Sequence, residues 1–155
     1  MKISQTKDFQ LIAKLNEHVH DLHFRIYPEH FKEYDYEAVK AGFQSLIQNE
    51  RFIFLLLEED EAALGYAWIE LREYPDTPFK KGYDSVYLHQ ISIGDAKRNK
   101  GYGCSLMKKV EEIASEKGVD VLELDYWSAN LAAKEFYQKQ GFKRYREFVY
   151  KKLQR

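Results

Sequence analysis

From Tyr87 to Gly103 the chain reads Tyr-Leu-His-Gln-Ile-Ser-Ile-Gly-Asp-Ala-Lys-Arg-Asn-Lys-Gly-Tyr-Gly, and here residue types and spacing could do chemistry. Tyr87, His89, Ile91 and Ile93 fall at alternate positions, which predicts a strand with these four on one face. A basic, glycine-containing loop follows, then Leu106, Val110, Ile113 and Ala114 at helical spacing. Gly101 and Gly103 remove side chains where a ligand would approach the backbone. The first turn of a helix supplies unpaired N–H groups and a partial positive charge, and Lys97, Arg98 and Lys100 add charge beside it. Such a loop is a cradle for a phosphate or pyrophosphate, with a plain strand-to-helix turn as the competing reading. It is not a dinucleotide fingerprint, which would need glycine at Leu106, nor a Walker loop, because no G-K-[ST] follows.

The elements that must position this loop can be read along the chain. Residues 2–6 suit a short edge strand. Leu11, Ile12, Leu15, Val19 and Leu22 predict a helix from Phe9 to about Phe24, with Asp8 as N-cap and Tyr27-Pro28 as its end. A second helix is predicted from about Tyr36 to Gln48. Arg51 to Leu57 and Leu64 to Arg72 read as a hairpin around the polar turn Glu58 to Glu61. A loop from Tyr74 to Gly82 leads to a strand over Ser85 to Ile93. The next helix ends at Gly118, followed by a strand from Val119 to Asp125 and a helix from Asn130 to Gln140. Residues Phe142 to Leu153 predict one or two final strands. The fold class is α/β (α+β), a mixed sheet with helices on both faces.

With 155 residues, 45% apolar and 32% charged, the chain suits one globular domain over residues 1–155. A net charge of -1 gives no electrostatic reason to expect nucleic acid or an anionic membrane as partner. The lone cysteine, Cys104, excludes an internal disulfide framework and suits a reducing cytoplasm. No signal-peptide pattern opens the sequence, and the longest apolar run, Phe52 to Leu57, is too short to span a bilayer.

Two segments carry a family resemblance. Arg98-Asn-Lys-Gly101-Tyr-Gly103 resembles the R/Q-x-x-G-x-G/A motif of the GCN5-related N-acetyltransferases (GNAT superfamily). Asn130-Leu-Ala-Ala-Lys-Glu-Phe136-Tyr137-Gln-Lys-Gln-Gly141-Phe142 resembles that family's N-x-x-A-x-x-F-Y-x-x-x-G-F segment. They occur in the family's order, and the predicted elements extend the resemblance over most of the chain. It implies a mostly antiparallel central sheet and acetyl transfer from acetyl-coenzyme A to a primary amine by direct attack.

By the same resemblance, backbone groups of Arg98, Asn99, Lys100, Gly101, Tyr102, Gly103 and Cys104 hold the coenzyme A pyrophosphate. The segment Ile91-Ser92-Ile93 offers backbone bonds to the pantetheine and the acetyl carbonyl, on a strand that splays from the next one. Asn130 matches a position touching the cofactor arm. Tyr137 matches the proton donor to the departing thiolate, with a core aromatic as the alternative. Many members place a glutamate two or four residues before the position of Ile91. Here those positions hold His89 and Tyr87, so His89 becomes the candidate base, with Glu70, Glu123 or a water chain as alternatives.

The remaining features read more simply. His18, His20, His23 and His30 lack the spacing of a metal site, and no metal is expected. His23, Tyr27 and Tyr34 fall where the resemblance places an acceptor wall. Cys104 reads as a small packed residue. Glu73, Asp76 and Asp84 lean toward a small cationic amine as acceptor, with a peptide or protein N-terminus or lysine as the rival. A non-catalytic acyl-coenzyme A binding or sensing module is the alternative function. By analogy with the family a homodimer is open to the chain.

Overall fold

The computed structural model describes residues 1–154. They form two compact units, one from Met1 to Asp125 and one from Tyr126 onward. In the first, β1 (Lys2–Thr6), α1 (Phe9–Ile26), α2 (Tyr36–Leu46), β2 (Phe52–Glu59), β3 (Ala62–Tyr74), β4 (Tyr83–Ile93), α3 (Tyr102–Glu116) and β5 (Leu122–Leu124) follow in order. The second unit holds α4 (Leu131–Lys139).

Local signals set the helix ends. Asp8 accepts from the Leu11 N–H at 3.0 Å, capping α1 as its sequence predicts. Asp35 does the same for α2 through the Ala38 N–H. Gly118, just past α3, adopts φ 68°, which costs glycine nothing.

The strands lie in the order β1-β2-β3-β4-β5. The first four are antiparallel neighbours, and β5 runs parallel to β4. One sheet face packs on α1 and α2, through Ile12 and Ala13, Phe43, and the sheet residues Phe54 and Tyr66. The other face presents the cross-strand sets Leu55–Ala67–Ile91 and Ile53–Ile69–Leu88. Leu106, Met107 and Val110 of α3 are buried against that side. The period-two pattern of β2 and β3 and the 3.6-residue pattern of the helices therefore meet in a three-layer core.

Alternation fails within β4. Trp68 pairs with Gln90 but Ile69 pairs with Leu88, so His89 is an extra residue, a β-bulge in β4. Ile91 shares a face with Ala67. His89 stacks on Trp68 and meets Phe52, on the opposite face. The expectation that His89 and Ile91 share a face is therefore corrected. The inserted residue shifts the register by one and turns every later side chain over.

A second correction concerns residues 142–154, which carry neither helix nor strand where the sequence predicts one or two strands. A strand is stabilised by cross-strand pairs and one buried face. Among the described residues the sheet has only the five strands above. Tyr145, Phe148, Val149, Tyr150 and Leu153 stand exposed.

Candidate active site

The bulge opens the sheet. β4 pairs with β5 only from Val86 to Leu88, and no described strand covers that edge beyond it. The Val86 N–H bonds Val121 on the β5 side, whereas the Gly94 N–H bonds Leu64 on the β3 side. Both are even-numbered, so the direction of the N–H groups must invert between them, and the bulge is where it does. Beyond His89 the N–H groups of Ile91 and Ile93 therefore face the open edge. Ser92, between them, is buried and bonds toward β3, its carbonyl lying against Gly65.

The open edge leads into the basic loop. Asp95–Lys97 form one short 3-10 turn, Asn99 sits at φ 61° and Gly101 at φ 81°. Gly101 occupies the N-cap position of α3, where no side chain caps the helix. A Cβ on Gly101 would meet nothing within 4 Å, so the space above the helix start is clear. Lys97, Lys100 and Cys104 are exposed, and Tyr102 and Gly103 are partly covered. The Tyr102 hydroxyl donates to Glu59, tying the helix start to the end of β2. Open space, an uncapped first turn and two exposed lysines together suit an extended polyanion.

Arg98 is tethered instead of free. It donates through Nη2 to His18 Nε2 at 3.0 Å, and its Nε lies 3.5 Å from Asp95. His18 Nε2 is 3.3 Å from the same carboxylate. This link between α1 and the loop was not legible in the sequence, because the partners lie 80 residues apart.

The bulge also builds a polar cluster on the α1 and α2 face. His89 Nε2 lies 2.8 Å from Glu70 Oε1, and Arg72 Nε lies 3.1 Å from that same oxygen. The Arg72 guanidinium covers the Tyr87 ring at 3.7 Å, and the Tyr87 hydroxyl donates to Asp125. Burial pushes the His89 pKa below its ordinary value, outweighing the opposing pull of Glu70. Burial also pushes Glu70 upward, but its bonds to His89 and Arg72 win and hold it below the ordinary carboxylate range. A neutral imidazole beside an ionised carboxylate can accept a proton at neutral pH. Two of the alternative bases named from sequence separate here. Glu70 is the partner of His89, and Glu123 is buried and accepts from Tyr83 at 2.6 Å.

Next to His89, Gln90 joins a buried network. Asn16 donates to the Tyr66 hydroxyl at 2.9 Å and approaches Gln90 at 3.3 Å, while Tyr66 donates to Gln90 at 2.5 Å. The network fastens the bulge to α1 across the sheet face that α1 covers.

In the second unit Asn130 is buried and caps α4, accepting from the Ala133 N–H at 3.1 Å. Tyr137 stacks on Tyr126 at 6.1 Å and meets Phe136 and Phe142 edge-on. Toward the far end of α1, His20 bonds the Lys32 carbonyl, His23 stacks on Phe31, and Tyr34 donates to the Ala13 carbonyl. Among the described residues no three His, Cys, Asp or Glu side chains are grouped to hold a metal ion. No described helix is long and apolar enough to cross a membrane.

Comparison with known proteins adds to this geometry. The family model described as acetyltransferase (GNAT) family matches residues 16–142. YxbD, an uncharacterized protein of Bacillus subtilis strain 168, is 37% identical over 59 residues, which is 38% of this chain. The match spans 37% of that relative's own length. A tetramutant of the BH1408 protein from Bacillus halodurans superposes with a TM-score of 0.92 at 24% identity, over 99% of this chain and 100% of that one. The aminoglycoside antibiotic 6'-N-acetyltransferase AAC(6')-IG from Acinetobacter haemolyticus superposes with a TM-score of 0.73 at 16% identity, over 99% of each chain. The aminoglycoside N-acetyltransferase AAC(6')-Iy in complex with CoA gives 0.68 at 19% identity, over 98% of this chain and 93% of that one. At these identities the structural matches establish a common fold.

Proposed function

The chain belongs to the acetyltransferase (GNAT) family, and we propose that it moves an acetyl group from acetyl-coenzyme A to a primary amine, with both units acting as one domain. The observation that supports this best is the edge of β4. It is open from His89 onward and leads directly to the uncapped start of α3.

The residues fit the cosubstrate. In this reading the outward N–H groups of Ile91 and Ile93 bond the pantetheine arm and the acetyl carbonyl, and Ser92 keeps their spacing. The loop Arg98-Asn99-Lys100-Gly101 and the first turn Tyr102-Gly103-Cys104 take the pyrophosphate. An N–H held at the carbonyl oxygen stabilises the charge that develops there. The bound thioester supplies the activated acetyl group. As the acceptor nitrogen forms the amide bond and the carbon–sulfur bond breaks, His89 takes the proton leaving the amine. Tyr137 gives a proton to the sulfur, a role that rests on its match to the family motif. Binding aligns the two reactants, which supplies much of the rate. A small cationic amine is our preferred acceptor, because Glu73 pairs across the sheet with Asp84 on the exposed β3–β4 end. Peptide or protein amines are the second choice.

Thiol release from acetyl-coenzyme A, with spermidine, kanamycin and a lysine-containing peptide as acceptors, tests the roles. Tyr137→Phe and His89→Gln should each lower kcat by about a hundredfold and leave acetyl-coenzyme A affinity unchanged. Full turnover in either variant removes that residue from the mechanism.

A further inference from the structure

We propose that Glu70 is a positioning residue whose carboxylate holds His89 in the Nε2–H tautomer, making Nδ1 the atom that takes the proton. The proposal rests on the acetyl-transfer reading above and goes beyond it, naming the reacting nitrogen and the group that selects it.

The argument starts from donor and acceptor capacity. An ionised carboxylate only accepts hydrogen bonds, so an imidazole nitrogen 2.8 Å from Glu70 Oε1 must be the one bearing hydrogen. Arg72 donates to the same oxygen, which keeps Glu70 ionised and fixes its rotamer. A neutral ring carries one N–H, so the lone pair then lies on Nδ1.

The ring is also held in plane. Trp68 stacks on it at 4.4 Å with 19° between planes. Phe52 meets it edge-on at 5.6 Å and Tyr87 at 4.9 Å. Stacked on Trp68, flanked by Phe52 and Tyr87 and bonded at Nε2, the ring is held in one orientation. Alternation from Tyr87 puts His89 on the face of Trp68 and Glu70, and the bulge turns Ile91 to the opposite face. The charged groups bearing on the ring are Glu70 and Arg72 from β3 and Asp125 just past β5, and Tyr87 is the titratable neighbour on its own strand.

The test reads the ring directly. Nitrogen-15 correlation spectra of the resting protein, with the His89 signals identified by their loss in His89→Gln, give both tautomer and protonation midpoint. The expected result is a protonated Nε2 and an unprotonated Nδ1. In Glu70→Gln, the size is kept but the charge is lost, so the midpoint falls by about one pH unit. With spermidine, kanamycin or the lysine-containing peptide, Glu70→Gln should lower kcat about tenfold at unchanged KM for acetyl-coenzyme A. In the His89→Gln background it should cost nothing further. An Nδ1–H ring, an unmoved midpoint or an added loss in the double variant would overturn the proposal. Full turnover of His89→Gln is a different outcome, because it would show that His89 is not the base whatever its tautomer. Should Glu70→Gln not fold, the tautomer in the unmodified protein decides the matter alone.

Discussion

Gly101 and Gly118 flank the same helix and provide a matched pair of substitutions. Gly101 has φ 81° and Gly118 φ 68°, and a Cβ at either site would meet no atom within 4 Å. Alanine at each position therefore costs only its backbone conformation, about 1–2 kcal/mol for a Cβ in the left-handed region. Lower chain entropy in the unfolded state offsets part of this, leaving a net of about 1 kcal/mol at both sites. With a urea m-value of about 1–3 kcal/mol/M, each midpoint should fall by about 0.3–1 M. Ligand affinity should separate the two. In the proposed cosubstrate site Gly101 opens the anion cradle, so a shift in its backbone moves the N–H groups of the first turn. Gly101→Ala should weaken acetyl-coenzyme A binding about tenfold, a loss of about 1.4 kcal/mol. Gly118→Ala, at the far end of α3, should bind as the unmodified protein does. Urea unfolding and calorimetric titration on the two variants supply both numbers. Equal affinity losses, or none in Gly101→Ala, would refute the placement of the phosphate site at the helix start.

Three further outcomes follow from particular contacts. Tyr66→Phe removes the hydroxyl that accepts from Asn16 and donates to Gln90 in the core. It should cost about 1–3 kcal/mol and lower Tm by about 3–8 °C, and an unchanged Tm would contradict the network. Glu61→Gly relieves one of two adjacent non-glycine residues with positive φ, Asp60 at 50° and Glu61 at 64°, in the β2–β3 turn. It should gain about 1 kcal/mol without changing turnover, whereas a lower Tm would show that the turn is not strained. The acid limb of the pH–rate profile should lie below the ordinary histidine value of 6.5, since burial lowers the His89 pKa and the proposed mechanism needs the neutral ring. The same sign applies to stability. The unfolded chain takes up this proton near 6.5 while the fold resists it, so the His89 contribution declines as pH falls below 6.5. A limb centred above 6.5 would contradict the burial of the ring.

Much of this architecture is legible without coordinates, and the reason is local. The cap at Asp8, the stop at Gly118 and the hairpin around Glu58 to Glu61 are decided by neighbours in sequence. The glycine loop ahead of α3 is equally local. The bulge is not. Gln90 turns inward because Tyr66 and Asn16, 24 and 74 residues away, offer it partners. Without them the alternation of Tyr87, His89 and Ile91 would place all three on one face. β5 pairs only over Leu122–Leu124 instead of the predicted Val119 to Asp125, and its last pair, Leu124 with Leu88, lies just before the bulge. Glu70 could be named as a candidate base, but its bond to His89 depends on the β3–β4 register. Residues 142–154 show the reverse failure, an aromatic-rich segment with no ladder to join. The tether of Arg98 to His18 had no signal in either segment.

Titration of the purified protein with acetyl-coenzyme A, followed in the same sample by thiol release on adding spermidine, kanamycin and the lysine-containing peptide, tests the central claim most directly. The account predicts saturable binding at one site per chain and thiol release that depends on amine. Binding with no release from any acceptor would contradict the catalytic assignment and favour an acyl-coenzyme A sensor. Absence of binding would reduce the segment from Arg98 to Gly103 to a turn and contradict the account at its base.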